Sequence, residues 1–196
     1  MPTNVNKPNG FSVDQTLTPA AFNQQINAYY VPASDATAIG IGDLVKLASG
    51  STAPDGATQN SGKVLKNVAL AGASDVPVGV VVGFQFDPNN LMQKSRAAST
   101  GRIVLVADSP SLILEAQSDA TGVALADVGK NCTWTPGAPG SLSGNSTSVV
   151  TGVNTTNTLP FEIIGISSAP NNEPGAYARV QLRFNKHQYV TATTGV

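Results

Sequence analysis

Turn-forming residues interrupt this chain so often that long helices have no room. Gly, Pro, Ser, Thr and Asn make up 83 of its 196 residues, and they separate short apolar runs throughout. A helix usually needs roughly 10–12 residues of regular apolar spacing, whereas about 4–8 suffice for a strand. The runs here are strand-sized. They cover 43–47, 63–70, 78–86, 102–107, 112–116, 132–135, 161–167 and 177–184, with Val149-Val150 as a shorter one. Run 78–86 is almost continuously apolar, as in a strand covered on both faces, and its Gly79 and Gly83 predict a bulge or close backbone approach. Run 177–184 alternates. Ala178, Val180, Leu182 and Phe184 share one face, and Tyr177, Arg179, Gln181 and Arg183 the other, the pattern of a half-buried antiparallel strand. Asp108-Ser109-Pro110 reads as a tight turn and Glu173-Pro174-Gly175 as a type II turn.

The N-terminal stretch has a different texture. Residues 1–32 carry isolated apolar anchors without strand alternation: Phe11, Val13, Leu17, Phe22, Ile26, Tyr29 and Tyr30. Thr18-Pro19 has the form of a helix start, and Phe22, Ile26 and Tyr29/Tyr30 follow at helical spacing. The resulting expectation is an all-β protein: one antiparallel jelly-roll or β-sandwich-like domain over 33–189. An N-terminal arm, extended or with a short helical turn, precedes it over 1–32, and a frayed tail follows over 190–196. No repeat of fixed period argues for a solenoid or propeller.

Charge and chemistry narrow the function. Only 12% of residues are charged and the formal net charge is −1 with Lys+Arg 11, so no basic stripe is available to neutralise phosphates and nucleic acid is not an expected partner. No stretch approaches the roughly 20 apolar residues of a membrane-spanning helix, and the polar start lacks the apolar core of a signal peptide. The one cysteine, Cys132, has no partner for an internal disulfide. The one histidine, His187, has no nucleophile near it in sequence and reads as a surface or partner-contact residue. Two His/Cys residues are too few for a zinc site. Asp35, Asp55, Asp75, Asp87, Asp108 and Asp119 lie in apparent loops, where carboxylates brace turns. Gly40-Ile41-Gly42 lacks the third glycine of a dinucleotide fingerprint, and Gly140-Ser141-Leu142-Ser143-Gly144 has Leu142 where a serine nucleophile would stand. The reading is a non-enzyme without cofactor, metal or small-molecule substrate, whose weakly charged surface suits contact with other proteins.

Three stretches carry a resemblance. The first is Tyr30-Val31-Pro32-Ala33-Ser34-Asp35-Ala36-Thr37-Ala38 followed by Ile41-Gly42-Asp43. The second joins Gly79-Val80-Val81-Val82-Gly83-Phe84, Asp87-Pro88-Asn89-Asn90-Leu91, Arg96-Ala97-Ala98-Ser99-Thr100 and Val106-Ala107-Asp108-Ser109-Pro110. The third runs from Pro170-Asn171-Asn172-Glu173-Pro174-Gly175-Ala176-Tyr177-Ala178 to Asn185-Lys186-His187-Gln188. In this order the chain resembles, from about Tyr29 to Gln188, the capsid cement (decoration) proteins of tailed bacteriophages that have a jelly-roll-like body. The resemblance implies a structural virion protein made in the host cytoplasm and carried on the outer surface of the icosahedral head. There it would bind the major capsid protein and cement adjacent subunits against internal DNA pressure. It also implies a symmetric homo-oligomer, a dimer in preference to a trimer. Phe11, Phe22, Ile26, Tyr29 and Tyr30 would form a clasp on the arm, with Asn171, Asn172, Glu173 and Pro174 as a second contact. Deleting residues 1–28 would then leave the β-domain folded and abolish shell binding. The alternative is a carbohydrate- or receptor-binding β-sandwich module of a phage tail or adhesin, which would want aromatic platforms, whereas Trp134 is the sole tryptophan.

Overall fold

The computed structural model describes residues 4–17, 22–23, 25–52, 64–87 and 90–190. The chain is all-β. Its strands are β1 (Ser12–Thr16), β2 (Asn27–Val31), β3 (Leu44–Thr52), β4 (Leu65–Leu70), β5 (Gly79–Phe84), β6 (Arg102–Ala107), β7 (Leu112–Gln117), β8 (Asn131–Thr135), β9 (Val149–Asn154), β10 (Phe161–Ile166) and β11 (Arg179–Phe184). They form two layers. A six-stranded antiparallel sheet has the order β1-β7-β11-β10-β8-β9, and β2-β4-β3-β5-β6 close into a small barrel. Only the β2–β4 pairing in the barrel is parallel.

The barrel strands serve two cores at once, which explains their continuous apolar runs. Successive side chains on a strand point to opposite faces. Val45, Val81 and Val106 therefore fill the barrel with Tyr29, Val31 and Val68. Their neighbours Leu44, Val80 and Ala107 turn outward into a larger core, against Leu114, Trp134, Phe161 and Leu182 of the sheet. The two glycines of the Val-rich strand take one role each. A Cβ on Gly79 would lie 2.3 Å from the Ala107 carbonyl oxygen, and Gly83 marks a shift in the β5–β6 register. The last strand divides as its alternation predicts: Val180, Leu182 and Phe184 are buried. On its outer face Arg183 pairs with Glu162, and Arg179 with Glu115.

Residues 1–32 depart from the expected arm. Their described part enters both layers: β1 pairs with β7, and β2 pairs with β6 and closes the barrel. Phe11 is 3% exposed and stacks on Phe161 with ring centroids 5.4 Å apart. The helix start at Thr18-Pro19 lies outside the described residues. The supposed helical spacing ends in a strand, where Tyr29 and Val31 point inward at period two. A boundary at residue 32 would sever β2 from its barrel. β3 also extends to Thr52, beyond the apolar run 43–47.

Gly40-Ile41-Gly42 forms the crossing between layers. The Gly42 N–H bonds Val81 O, the Phe11 N–H bonds Gly42 O, and the Ser146 N–H bonds Ile41 O. Gly42 has φ +88°, and a Cβ there would lie 2.8 Å from Asn9 O, so glycine serves both conformation and packing. Beside it the fully buried Asp43 accepts from the Gly40 N–H and the Ser148 hydroxyl.

Candidate contact surface

The fold ties the N-terminal segment to the loop before β11 through Asn4, not through any of the five aromatic and aliphatic residues expected to form a clasp. The Asn4 amide donates to Glu173 O and Ala176 O, and its side-chain oxygen accepts from the Glu173 N–H at 3.0 Å. Gln117 adds a second tie, accepting from the Lys7 N–H and donating to Val5 O and Tyr177 O. Asn172 holds the loop from inside: its amide donates to Ser167 O and Arg179 O, and its oxygen accepts from the Arg179 N–H. The loop backbone takes uncommon conformations, with Asn171 at φ 60° and Tyr177 at φ 58°. Asparagine tolerates this region, whereas tyrosine is held there by its surroundings.

Of the residues expected to touch a partner, Asn171, Glu173 and Pro174 stand exposed on this ridge, and Asn172 is half-buried with its amide fully engaged. Ile26 is exposed. Phe11 and Tyr29 are core residues, Phe22 packs against the main core, and Tyr30 is half-buried. The Tyr29 hydroxyl bonds Asp108 at 2.5 Å and Tyr189 at 2.6 Å; burial, then the bond to Asp108, raises its pKa. Beneath the ridge a groove of about 220 Å³ runs between Lys7, Pro170, Asn171 and Arg179. The amides of Asn4, Gln117 and Asn172 that line it are spent on the backbone.

His187 is not at the surface. It is buried, edge-on to Phe184 with centroids 4.9 Å apart, and its Nδ1 accepts from the Tyr189 N–H. The C-terminal strap that carries it crosses the barrel: the Gln188 N–H bonds Pro77 O, and its side-chain oxygen accepts from the Leu47 N–H. Burial lowers the His187 pKa below its ordinary 6.5, opposed by a bond with the Val78 backbone and by Asp108. Below about pH 6.5 the unfolded chain therefore takes up a proton that the folded chain refuses. Stability should fall as pH drops from 6.5 toward the lowered folded value. Buried Asp43, raised chiefly by desolvation, acts in the opposite sense, adding stability as pH falls through its raised value toward 3.8. Urea midpoints at pH 7.5 and 5.5 test this. His187→Asn, whose side-chain oxygen can still accept from the Tyr189 N–H, should show a smaller drop between them; equal drops would remove His187 as the cause.

Burial also governs Cys132. Its thiol is pushed up to about 12 by desolvation, so it stays protonated and unreactive at neutral pH. Among the described residues no three His, Cys, Asp or Glu side chains gather to hold a metal ion, and no helix is long and apolar enough to cross a membrane.

A second surface was not visible in the residue pattern. At the barrel side, the β5–β6 loop and the 140–144 turn enclose a groove of about 350 Å³ lined by Ile41, Phe84, Phe86, Leu91, Lys94 and Arg102 among others. Of these, Phe86 and Leu91 are exposed by 72% and 70%; Met92 and Leu142, each next in sequence to a lining residue, are exposed by 81% and 87%. Leu142, from the hydrolase-like pentapeptide, sits in a turn closed by the Gly144 N–H bonding Gly140 O. Isolated apolar residues among Asn, Gln and Ser were the available signal. No protein-family model, curated protein or solved structure matches this chain.

Proposed function

We propose that this chain is a structural protein of a tailed-phage head, which binds the outside of the icosahedral shell and cements neighbouring major capsid protein subunits. The observation that supports it is the ridge over 169–177. It presents Asn171, Glu173 and Pro174 to solvent while Asn4 and Asn172 lock its backbone. A loop ordered before contact loses little conformational entropy on binding, and many modest contacts repeated by symmetry add up through avidity. On this reading the two-layer body corresponds to the jelly-roll-like body of the cement proteins. The N-terminal segment acts by bracing the ridge rather than by reaching out as a free arm.

Binding of purified protein to shells assembled from the major capsid protein, followed by co-sedimentation, tests the proposal. Wild-type protein should saturate the shells at a fixed number of copies. Glu173→Lys and Asn172→Ala should weaken binding about tenfold or more, the first through charge at the contact and the second by freeing the loop. Glu173→Lys should leave the melting temperature unchanged. Absence of wild-type binding would reject the cementing role; wild-type binding with no effect of either substitution would move the contact elsewhere.

A further inference from the structure

We infer that residues 187–190 form an acid-released strap: at neutral pH it fastens the end of β11 to the barrel, and it lets go, with both layers intact, when His187 takes up a proton. The inference stands apart from the cementing role and uses none of its contacts.

The strap has a fixed root and a lightly held free part. At the root, the Asn185 and Lys186 N–H groups both bond Pro160 O, and the Asn185 amide donates to Asn157 O and Leu159 O. Beyond the root the ties to the barrel are few. The Gln188 N–H bonds Pro77 O, and its side-chain oxygen accepts from the Leu47 N–H at 2.7 Å. The Tyr189 hydroxyl bonds that of Tyr29. Tyr189 and Val190 are exposed and Gln188 is half-buried, so His187, 2% exposed, is the one buried side chain of the strap. A segment with so few buried contacts opens at lower cost than the sheet and barrel on which it lies.

His187 is also the part of the strap that a proton changes. Its Nδ1 accepts from the Tyr189 N–H, which requires the neutral ring. An imidazolium carries donors on both nitrogens, so two N–H groups would face each other and the turn that seats the strap would lose a bond. The groups around the ring do not reverse this. Asp108, in the turn after β6, and the Val78 backbone favour the charged form, but desolvation outweighs them. The Asp108 carboxylate already accepts from the Tyr29 hydroxyl of β2 and the Asn27 amide. Two cations stand on the other side of the balance: Lys66 of β4, whose Nζ lies 4.9 Å from the centre of the Tyr189 ring, and Lys186, next to His187 in the chain. Once released into solvent the imidazole regains its ordinary pKa of 6.5, so acid below that pH favours the open strap.

Hydrogen exchange of the full chain, followed by NMR at pH 7.5 and 5.0 and corrected for the intrinsic exchange rate at each pH, tests this. The amides of Leu47, Gln188 and Tyr189 should lose protection by roughly 5- to 30-fold at pH 5.0, the range for a group that titrates near 6.5 when released and lower when held. The amides of β6 and β7, in barrel and sheet, should keep theirs. His187→Asn and His187→Phe, neither of which takes up a proton, should show equal strap protection at the two pH values, and either variant alone carries the comparison. Gln188→Ala, which removes the bond to Leu47, should lower strap protection at both pH values and leave the pH response in place. Wild-type strap amides equally protected at both pH values, or the same loss in the His187 variants, would overturn the inference. So would a loss shared by β6 and β7, which would make the effect global unfolding.

Discussion

Arg96→Met should cost this protein about 3–5 kcal/mol, the range for breaking a buried charged network by removing one partner. The side chain is 0% exposed and makes no polar contact that a hydrophobic residue could replace. Its Nε donates to Thr100 O at 2.8 Å, one terminal nitrogen donates to Pro32 O and Asp35 O at 2.8 and 2.7 Å, and the other bonds Thr37 O. The Asp35 carboxylate lies 3.5 Å away and supplies the opposite charge. Desolvation lowers the Arg96 pKa, and Asp35 opposes that shift. One guanidinium thus pins the 32–38 loop to the 96–100 loop, at the mouth of the barrel where Ile39 and Arg96 also exchange backbone bonds. Methionine would leave these carbonyls without their donor. A lysine side chain would not restore them, because an ammonium has neither the fork nor the number of donors, so Arg96→Lys should lose most of the same stability. Urea denaturation of the three proteins measures this; a loss below about 1 kcal/mol in Arg96→Met would mean that the loops hold without their pin.

The second large effect is expected at Phe11. Phe11→Ala should cost about 3–5 kcal/mol, as for other buried aromatic truncations, because the ring packs against both Trp134 and Phe161 in the larger core. The same reasoning reverses the expectation for deletion of residues 1–28. That deletion removes β1, Phe11 and the first two residues of β2, exposing the β7 edge and opening the barrel. The truncated chain should be unfolded or aggregated, visible as loss of the cooperative thermal transition. A truncated protein with a wild-type melting temperature would restore the reading of a detachable arm.

The parts of the fold that were legible share one property: their side chains alone reveal the burial. The run through β5 and the alternation of β11 do so because each buried face is filled by the strand's own residues. β1 was not legible. It is an edge strand held by its main-chain ladder to β7, with Val13 and Phe11 as its apolar content near the sheet and a register shift after Val13. β2 hid because Tyr29 and Val31, two apart, sit inside a longer pattern that also matches a helix. Local spacing cannot show that β2 finds β4 and β6 far along the chain, and those pairings decide the matter. At the candidate contact surface, Asn171-Asn172-Glu173-Pro174 reads correctly as a loop. Nothing in the residues distinguishes exposed Asn171 from Asn172, whose amide braces the loop, because its bonds are to Ser167, just past β10, and to Arg179 on β11. His187 likewise becomes buried through the path of the C-terminal strap, not through its neighbours in sequence.

The cementing role meets its most direct test in cryo-electron microscopy of major-capsid-protein shells incubated with this protein. The account predicts ordered copies on the outer surface, seated over seams between capsid subunits, with Asn171, Glu173 and Pro174 of the 169–177 ridge against the shell. Bare shells at saturating protein, or copies attached through another face with the ridge in solvent, would contradict it.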